Sequence, residues 1–176
     1  MKKATTHDLV FMAICVALGL LAKRIVSPAT NVLTDFFRIP GGSAAVGFSL
    51  AFLIIGKRIA PLPGAASLMG FVQSLLALAL GMSGYQGWLA VITYTLPGVV
   101  IDLVYRFLKE REKLFCFVAG ILSCLTAAAL SNLLVFHLQG ISAVLWLLLA
   151  ALSGALGGYL AELISRRLRI ALRKES

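Results

Sequence analysis

Charge is scarce in this sequence. Of 176 residues only 13% are Asp, Glu, Lys or Arg, where a soluble domain averages roughly a quarter. Acidic residues are fewest, 7 against 16 basic ones. The runs between charges are long and apolar, 60% of the chain is hydrophobic, and the mean hydropathy is +0.98. Such a chain belongs in a bilayer rather than in water. The three cysteines, Cys15, Cys116 and Cys124, fall in apolar runs without metal-ligand spacing and read as small buried hydrophobes. The two histidines, His7 and His137, lie near opposite faces of the expected membrane, too far apart for one site. There is no HExxH motif, no GxxxxGK[ST] phosphate loop and no Ser/His/Asp set that one face could assemble. ATP hydrolysis by a phosphate loop is excluded, and no cofactor or metal is expected. No acidic residue sits near the middle of an apolar run, which argues against a proton- or sodium-driven carrier. No internal repeat of the kind that builds many secondary transporters is visible.

The apolar runs number six: about 8–27, 40–56, 64–83, 88–108, 114–136 and 141–165. A membrane-spanning helix needs about 20 mostly apolar residues, so the expectation is an all-α integral membrane protein. It is expected to form a single six-helix bundle over residues 1–176, with a basic tail from 166. The second run is the shortest, with Pro40-Gly41-Gly42 and Gly56-Lys57-Arg58 as its breaks. Placing both termini in the cytoplasm puts 13 of the 16 basic residues on the inner side, as the positive-inside rule requires. This placement beside apolar segments also speaks against nucleic acid as the partner of the +9 charge. The tail RRLRIALRK is expected to continue as a basic amphipathic helix. The segment 27–42 is the longest outer connection, and ordered loops of that length often serve as lids.

Small residues form two stripes. Ala150, Gly154 and Gly158 make a ladder at four-residue steps in the last run, and Ala13 and Ala17 share one face of the first. Such faces let helices approach closely in lipid. The ladder is expected to pack inside the bundle. For Ala13 and Ala17 two readings stay open, an internal seam and a docking face for a separate membrane subunit. Asp102 with Arg106, and Glu162 with Arg166, have the i,i+4 spacing of helical ion pairs.

The uncharged polar and aromatic residues gather toward the outer half. Gln73 lies near the middle of the third run, and Thr93 and Tyr94 in the outer third of the fourth. Asn132, then His137, follow at the outer end of the fifth, with Trp146 in the outer part of the sixth. Tyr85, Gln86 and Trp88 lie in the outer loop or just below it. Aromatics can stack on a flat ligand while amides read its edge, so these nine residues are the candidate substrate-binding set. An interfacial aromatic belt would account for Tyr85 and Trp88, but less well for Gln73 and Asn132.

A family resemblance follows from three stretches. These are HDLVFMAI at the start, Ala13-Ile14-Cys15-Val16-Ala17 in the first run, and PLPGAASLMGFVQSLLALALGMSG from Pro61 to Gly84 with the helix to Asp102. The first hundred residues or so resemble the substrate-binding S components of energy-coupling factor (ECF) transporters, closest to the thiamine-precursor type known as YkoE. The resemblance implies a prokaryotic plasma-membrane subunit that captures a vitamin or another small flat heterocycle from outside. It implies a transmembrane T component and two ATPases as partners, Ala13 and Ala17 as the face toward the T component, and an outer loop closing over the ligand. Where an acidic residue is expected in helix 3, this chain has Gly70-Phe71. The competing classes are a stand-alone carrier or channel and a small membrane enzyme, for which no catalytic set can be assembled.

Overall fold

A computed structural model describes residues 5–35, 42–82 and 84–174, with side chains at all of these except 29, 31–35, 42–44, 84–86 and 171–174. Among the described residues there are six α-helices and no strand: α1 (Thr6–Asp35), α2 (Gly42–Ile59), α3 (Ala65–Ala79), α4 (Ala90–Leu108), α5 (Glu112–Ser131) and α6 (Ile141–Lys174). Four apolar stretches are long enough to cross a membrane: Thr6–Pro28, Gly87–Leu108, Glu112–Phe136 and Ile141–Ile170. The other two helices are shorter. With 18 and 15 residues, α2 and α3 measure only about 27 and 23 Å at 1.5 Å per residue, against a hydrocarbon core of about 30 Å.

The surface carries the bilayer signature. Large apolar side chains stand exposed on α1 (Leu9, Val10, Ile14, Leu21, Ile25), α3 (Leu68, Phe71, Leu75), α4 (Leu103, Phe107), α5 (Leu122) and α6 (Leu148, Leu152, Leu156). A water-soluble molecule rarely leaves so much contiguous apolar surface open. A membrane-embedded protein accounts for it directly.

The shortest run of the sequence occupies the centre. α2 packs on α1 and α6, and also touches α3, α4 and α5. Its Leu53, Ile54 and Ile55 are sealed from solvent. Glycine makes this crowding possible. A Cβ at Gly47 would fall 2.2 Å from the Ser153 carbonyl oxygen, and one at Gly157 would fall 2.2 Å from that of Gly47. The expected ladder on α6 is an internal seam. Gly154 faces Gly120 of α5, with 2.4 Å between the Cβ it would carry and the Gly120 oxygen, and Gly158 meets Cys116 in the same way. All three cysteines are free and buried.

Helix limits differ from expectation in two places. α1 begins with a capping box: Thr5 Oγ1 accepts the Asp8 amide, and the Asp8 carboxylate accepts the Thr5 amide and hydroxyl. It then runs through Pro28 to Asp35, where a loop from 27 was expected. Pro28 removes one main-chain bond. The bond lost is the one to the Arg24 carbonyl, and just beyond it Thr30 Oγ1 donates to the Ser27 carbonyl at 2.9 Å. The remainder of the expected lid, 36–41, lies outside the described residues. α5 ends in a π-turn, Asn132–Phe136, closed by His137 in a left-handed conformation (φ 51°).

One end of the bundle is tied by ion pairs. Lys57, at the end of α2, is 3% exposed and lies 2.6 Å from Asp102 of α4. It also donates to the Leu62 carbonyl at 2.7 Å and sits over the Tyr105 ring. The same carboxylate accepts the amides of Ala66 and Ser67 and the Ser67 hydroxyl. Asp102 thus caps the N-terminus of α3 from a neighbouring helix, where Gly64 at the cap position provides no side chain. Next to it Arg58 bonds Glu112 and Ser165, and Glu112 also pairs with Arg169 of α6. The expected pairing of Asp102 with Arg106 is therefore replaced by a tertiary one. A buried ammonium needs a carboxylate far more than the exposed Arg106 does. Glu162 and Arg166 likewise form no ion pair among the described residues.

Candidate functional site

Away from Lys57, five helices line a polar chamber. α1 contributes Lys23, α2 Val46, Ser49 and Leu50, α3 Gln73, α4 Thr93, Tyr94 and Pro97, and α5 Ala127 and Ser131. Gln73 is 1% exposed, and its Nε2 donates to Ser49 Oγ at 2.7 Å. Gly19 leaves room for this amide against α1: a Cβ there would come within 2.9 Å of Gln73 Nε2 and 3.1 Å of the Ser49 carbonyl oxygen. Lys23 Nζ donates to the Tyr94 hydroxyl and lies 4.3 Å from the centre of the Tyr94 ring. Thr93 is buried and donates to the Ala90 carbonyl at 3.3 Å. One turn later Pro97 has no N–H to offer the Thr93 carbonyl.

The electrostatics of the chamber are one-sided. Lys23 brings a positive charge, and no carboxylate among the described residues lines the space. The surroundings offer hydroxyls, an amide and a phenol, which can read a polar solute from several sides. The free volume is about 30 Å³, room for a water molecule or two and well short of the roughly 300 Å³ that small-ligand pockets start from.

Of the nine candidate residues, the structure brings Gln73, Thr93 and Tyr94 together here. Trp88, Asn132, His137 and Trp146 lie elsewhere. Trp88 is 73% exposed, in the 3-10 turn Gly84–Leu89. Asn132 is occupied by the chain turn after α5: its Oδ1 accepts the Leu138 amide at 2.7 Å and its Nδ2 donates to the Leu138 carbonyl. His137 is exposed beside it. Trp146 is 2% exposed, donates to the Ala128 carbonyl and packs on Phe136, as a core residue does. The side chains of Tyr85 and Gln86 lie outside the described residues.

Lys23 and Ser49 are the residues that sequence reasoning missed. The signal for Lys23 is a lysine one turn after Gly19 in an apolar run; with the helix expected to end at 27, Lys23 falls near its outer end and outside the candidate set. Ser49 sits in the run whose helical status was weakest.

Ala13 and Ala17 are exposed. Ala17 lines an open groove of about 480 Å³ with Leu20, Leu21 and Arg24 of α1 and Leu76, Leu80 and Met82 from α3 and its end. No group of His, Cys, Asp and Glu suited to a metal ion occurs among the described residues. Comparison with protein-family models, with curated proteins and with solved structures returns no match.

Proposed function

We propose that this chain is the substrate-binding S component of an ECF-type importer in a prokaryotic plasma membrane. In this reading it spans the bilayer six times with both termini inside and binds a small vitamin-like solute from outside. It has no catalytic activity of its own and is driven by a T component and two ATPases. The observation that carries the reading is the chamber: Lys23, Ser49, Gln73 and Tyr94 converge there from four helices. Gln73 pairs with Ser49 and Lys23 with Tyr94, and the hydrogen-bonding capacity these single contacts leave over is what a polar solute would use. One further feature supports it: Ala13 and Ala17 of α1 are exposed, as a docking face would be.

The charge of the chamber refines the ligand. A cationic, thiamine-like molecule would meet Lys23 without a carboxylate to offset it. A neutral or anionic flat heterocycle suits the site better.

Native mass spectrometry of the purified chain, followed by reconstitution with an ATPase module, tests the proposal. A co-purified small molecule and uptake that requires ATP and the T component are expected. Uptake by the chain alone in liposomes would overturn it in favour of a stand-alone carrier. The paired substitution Ala13→Trp and Ala17→Trp should leave ligand binding intact and abolish assembly.

A further inference from the structure

A second, larger cavity lies at the ion-paired end. It opens between α4 and the turn that joins α2 to α3, has about 660 Å³ of free volume, and is bounded by Lys57, Pro61, Pro63 and Gly64 on one side and by α4 from Val99 to Lys109 on the other. We propose that this cavity is a binding site for the headgroup of an anionic phospholipid, with one acyl chain lying along α4.

The argument starts from which charges are already used. Asp102 is the carboxylate bordering the cavity, and its oxygens are taken up by Lys57, Ser67 and two main-chain amides. Lys57 is equally committed, to Asp102, the Leu62 carbonyl and the Tyr105 ring. These two cancel. Arg106 and Lys109 remain, both exposed and neither in an ion pair among the described residues. They leave the cavity rim with two uncompensated positive charges.

The helix gives the site its second half. Val99, Leu103, Arg106 and Lys109 follow one another at three- and four-residue steps, so they form one stripe. Val99 is 43% and Leu103 54% exposed. The stripe therefore runs from an open apolar wall into two cations at the helix end, next to a pocket large enough for a phosphate-glycerol group. A soluble anion would have no use for the apolar part. A phospholipid matches both parts at once, and basic pockets between membrane helices are known to select anionic headgroups. The site depends on membrane embedding and not on the transport reading.

The test uses the full chain in nanodiscs containing phosphatidylglycerol and phosphatidylcholine, with retained lipids counted by native mass spectrometry. The wild-type chain should keep phosphatidylglycerol in preference to phosphatidylcholine. Arg106→Gln and Lys109→Gln should each lower that retention about tenfold, as expected for the loss of a direct charge-assisted hydrogen bond to a phosphate, and more when combined. Both residues are exposed, so the variants should fold. The pair Arg166→Gln with Arg167→Gln, also exposed and not bordering the cavity, removes the same charge elsewhere and should change retention less than twofold. Equal retention of the two lipids, unchanged retention in the α4 variants, or an equal loss in the control pair would each overturn the proposal. Millimolar inorganic phosphate should not displace the lipid; if it does, the cavity is a site for a soluble anion and the lipid assignment fails.

Discussion

Lys57 and Lys23 are two lysines of one helical bundle with opposite surroundings. Lys57 has a carboxylate, a carbonyl and an aromatic face around its ammonium group, and the turn between α2 and α3 is built on it. Lys23 has one phenol, that of Tyr94, and a small polar void. A buried charge with all its donors used holds structure together. One held by a single neutral partner retains the capacity to bind something else. The same contrast separates the two small-residue stripes. The glycines of α6 are filled by the backbones of α5 and α2, whereas Ala13 and Ala17 of α1 face outward.

The largest effect should come from breaking the saturated site. Asp102→Ala leaves Lys57 buried without its counter-charge and frees two amides at the start of α3. Removing one partner of a buried pair costs about 3–5 kcal/mol. A loss of that size should appear as a large drop in thermal stability of the purified protein. Replacing both partners, Lys57→Met with Asp102→Leu, should recover a good part of it, because the uncompensated charge is gone while the apolar volume is kept. If the double variant is no more stable than Asp102→Ala, the carboxylate's capping of α3 outweighs its pairing with Lys57.

The stripes give the next contrast. Gly154→Ala places a methyl group where 2.4 Å separates it from the Gly120 oxygen, and backbone cannot yield as a flexible side chain can. Overpacking of this kind costs about 1–3 kcal/mol. Ala13→Leu adds more atoms to an exposed position and should change the stability of the isolated chain by less than about 0.5 kcal/mol. Parallel melting curves of the two variants decide the matter. Equal destabilisation would mean that the alanine face is covered.

Much of the fold was legible because apolar runs of membrane length leave few alternatives. Five of the six helices begin within two residues of their expected starts, at 6, 42, 65, 90 and 112 against 8, 40, 64, 88 and 114, and the sixth begins at 141 as expected. The ends were harder. Pro28 reads as a stop along the sequence, yet a helix can pass a proline at the loss of one main-chain bond, and α1 continues through it to Asp35. The ion pairs were misread for a related reason. Spacing along one helix shows Arg106 beside Asp102 but is blind to Lys57, which arrives from a helix packed against it. In the chamber, Gln73 and Tyr94 could be found by their polarity in apolar runs. Asn132 and Trp146 carried the same signal and turned out to satisfy local carbonyls and amides, which no pattern in the sequence distinguishes.

At Lys23 a modest effect on folding is expected to accompany the sharpest one on function. Its ammonium group has the Tyr94 hydroxyl and ring as partners. A cation–π contact with partial exposure contributes about 0.5–1 kcal/mol, and a hydrogen bond about as much. Lys23→Met keeps an unbranched apolar stem and removes the charge. It should therefore melt within about 1–2 kcal/mol of the wild type, well short of the loss at Asp102. Binding of the co-purified solute should respond differently. If that solute is anionic, loss of its counter-charge should weaken binding by tenfold or more, since hydrogen bonds to charged groups contribute about 1.5–3 kcal/mol. Lys23→Arg should retain part of the affinity, and Tyr94→Phe, which frees the ammonium from its phenol, should weaken binding less than Lys23→Met. Titration of the three variants with the identified solute measures this order. Should Lys23→Met bind as well as the wild type, Lys23 serves only to fasten α1 to α4, and the contrast between the two lysines is one of degree.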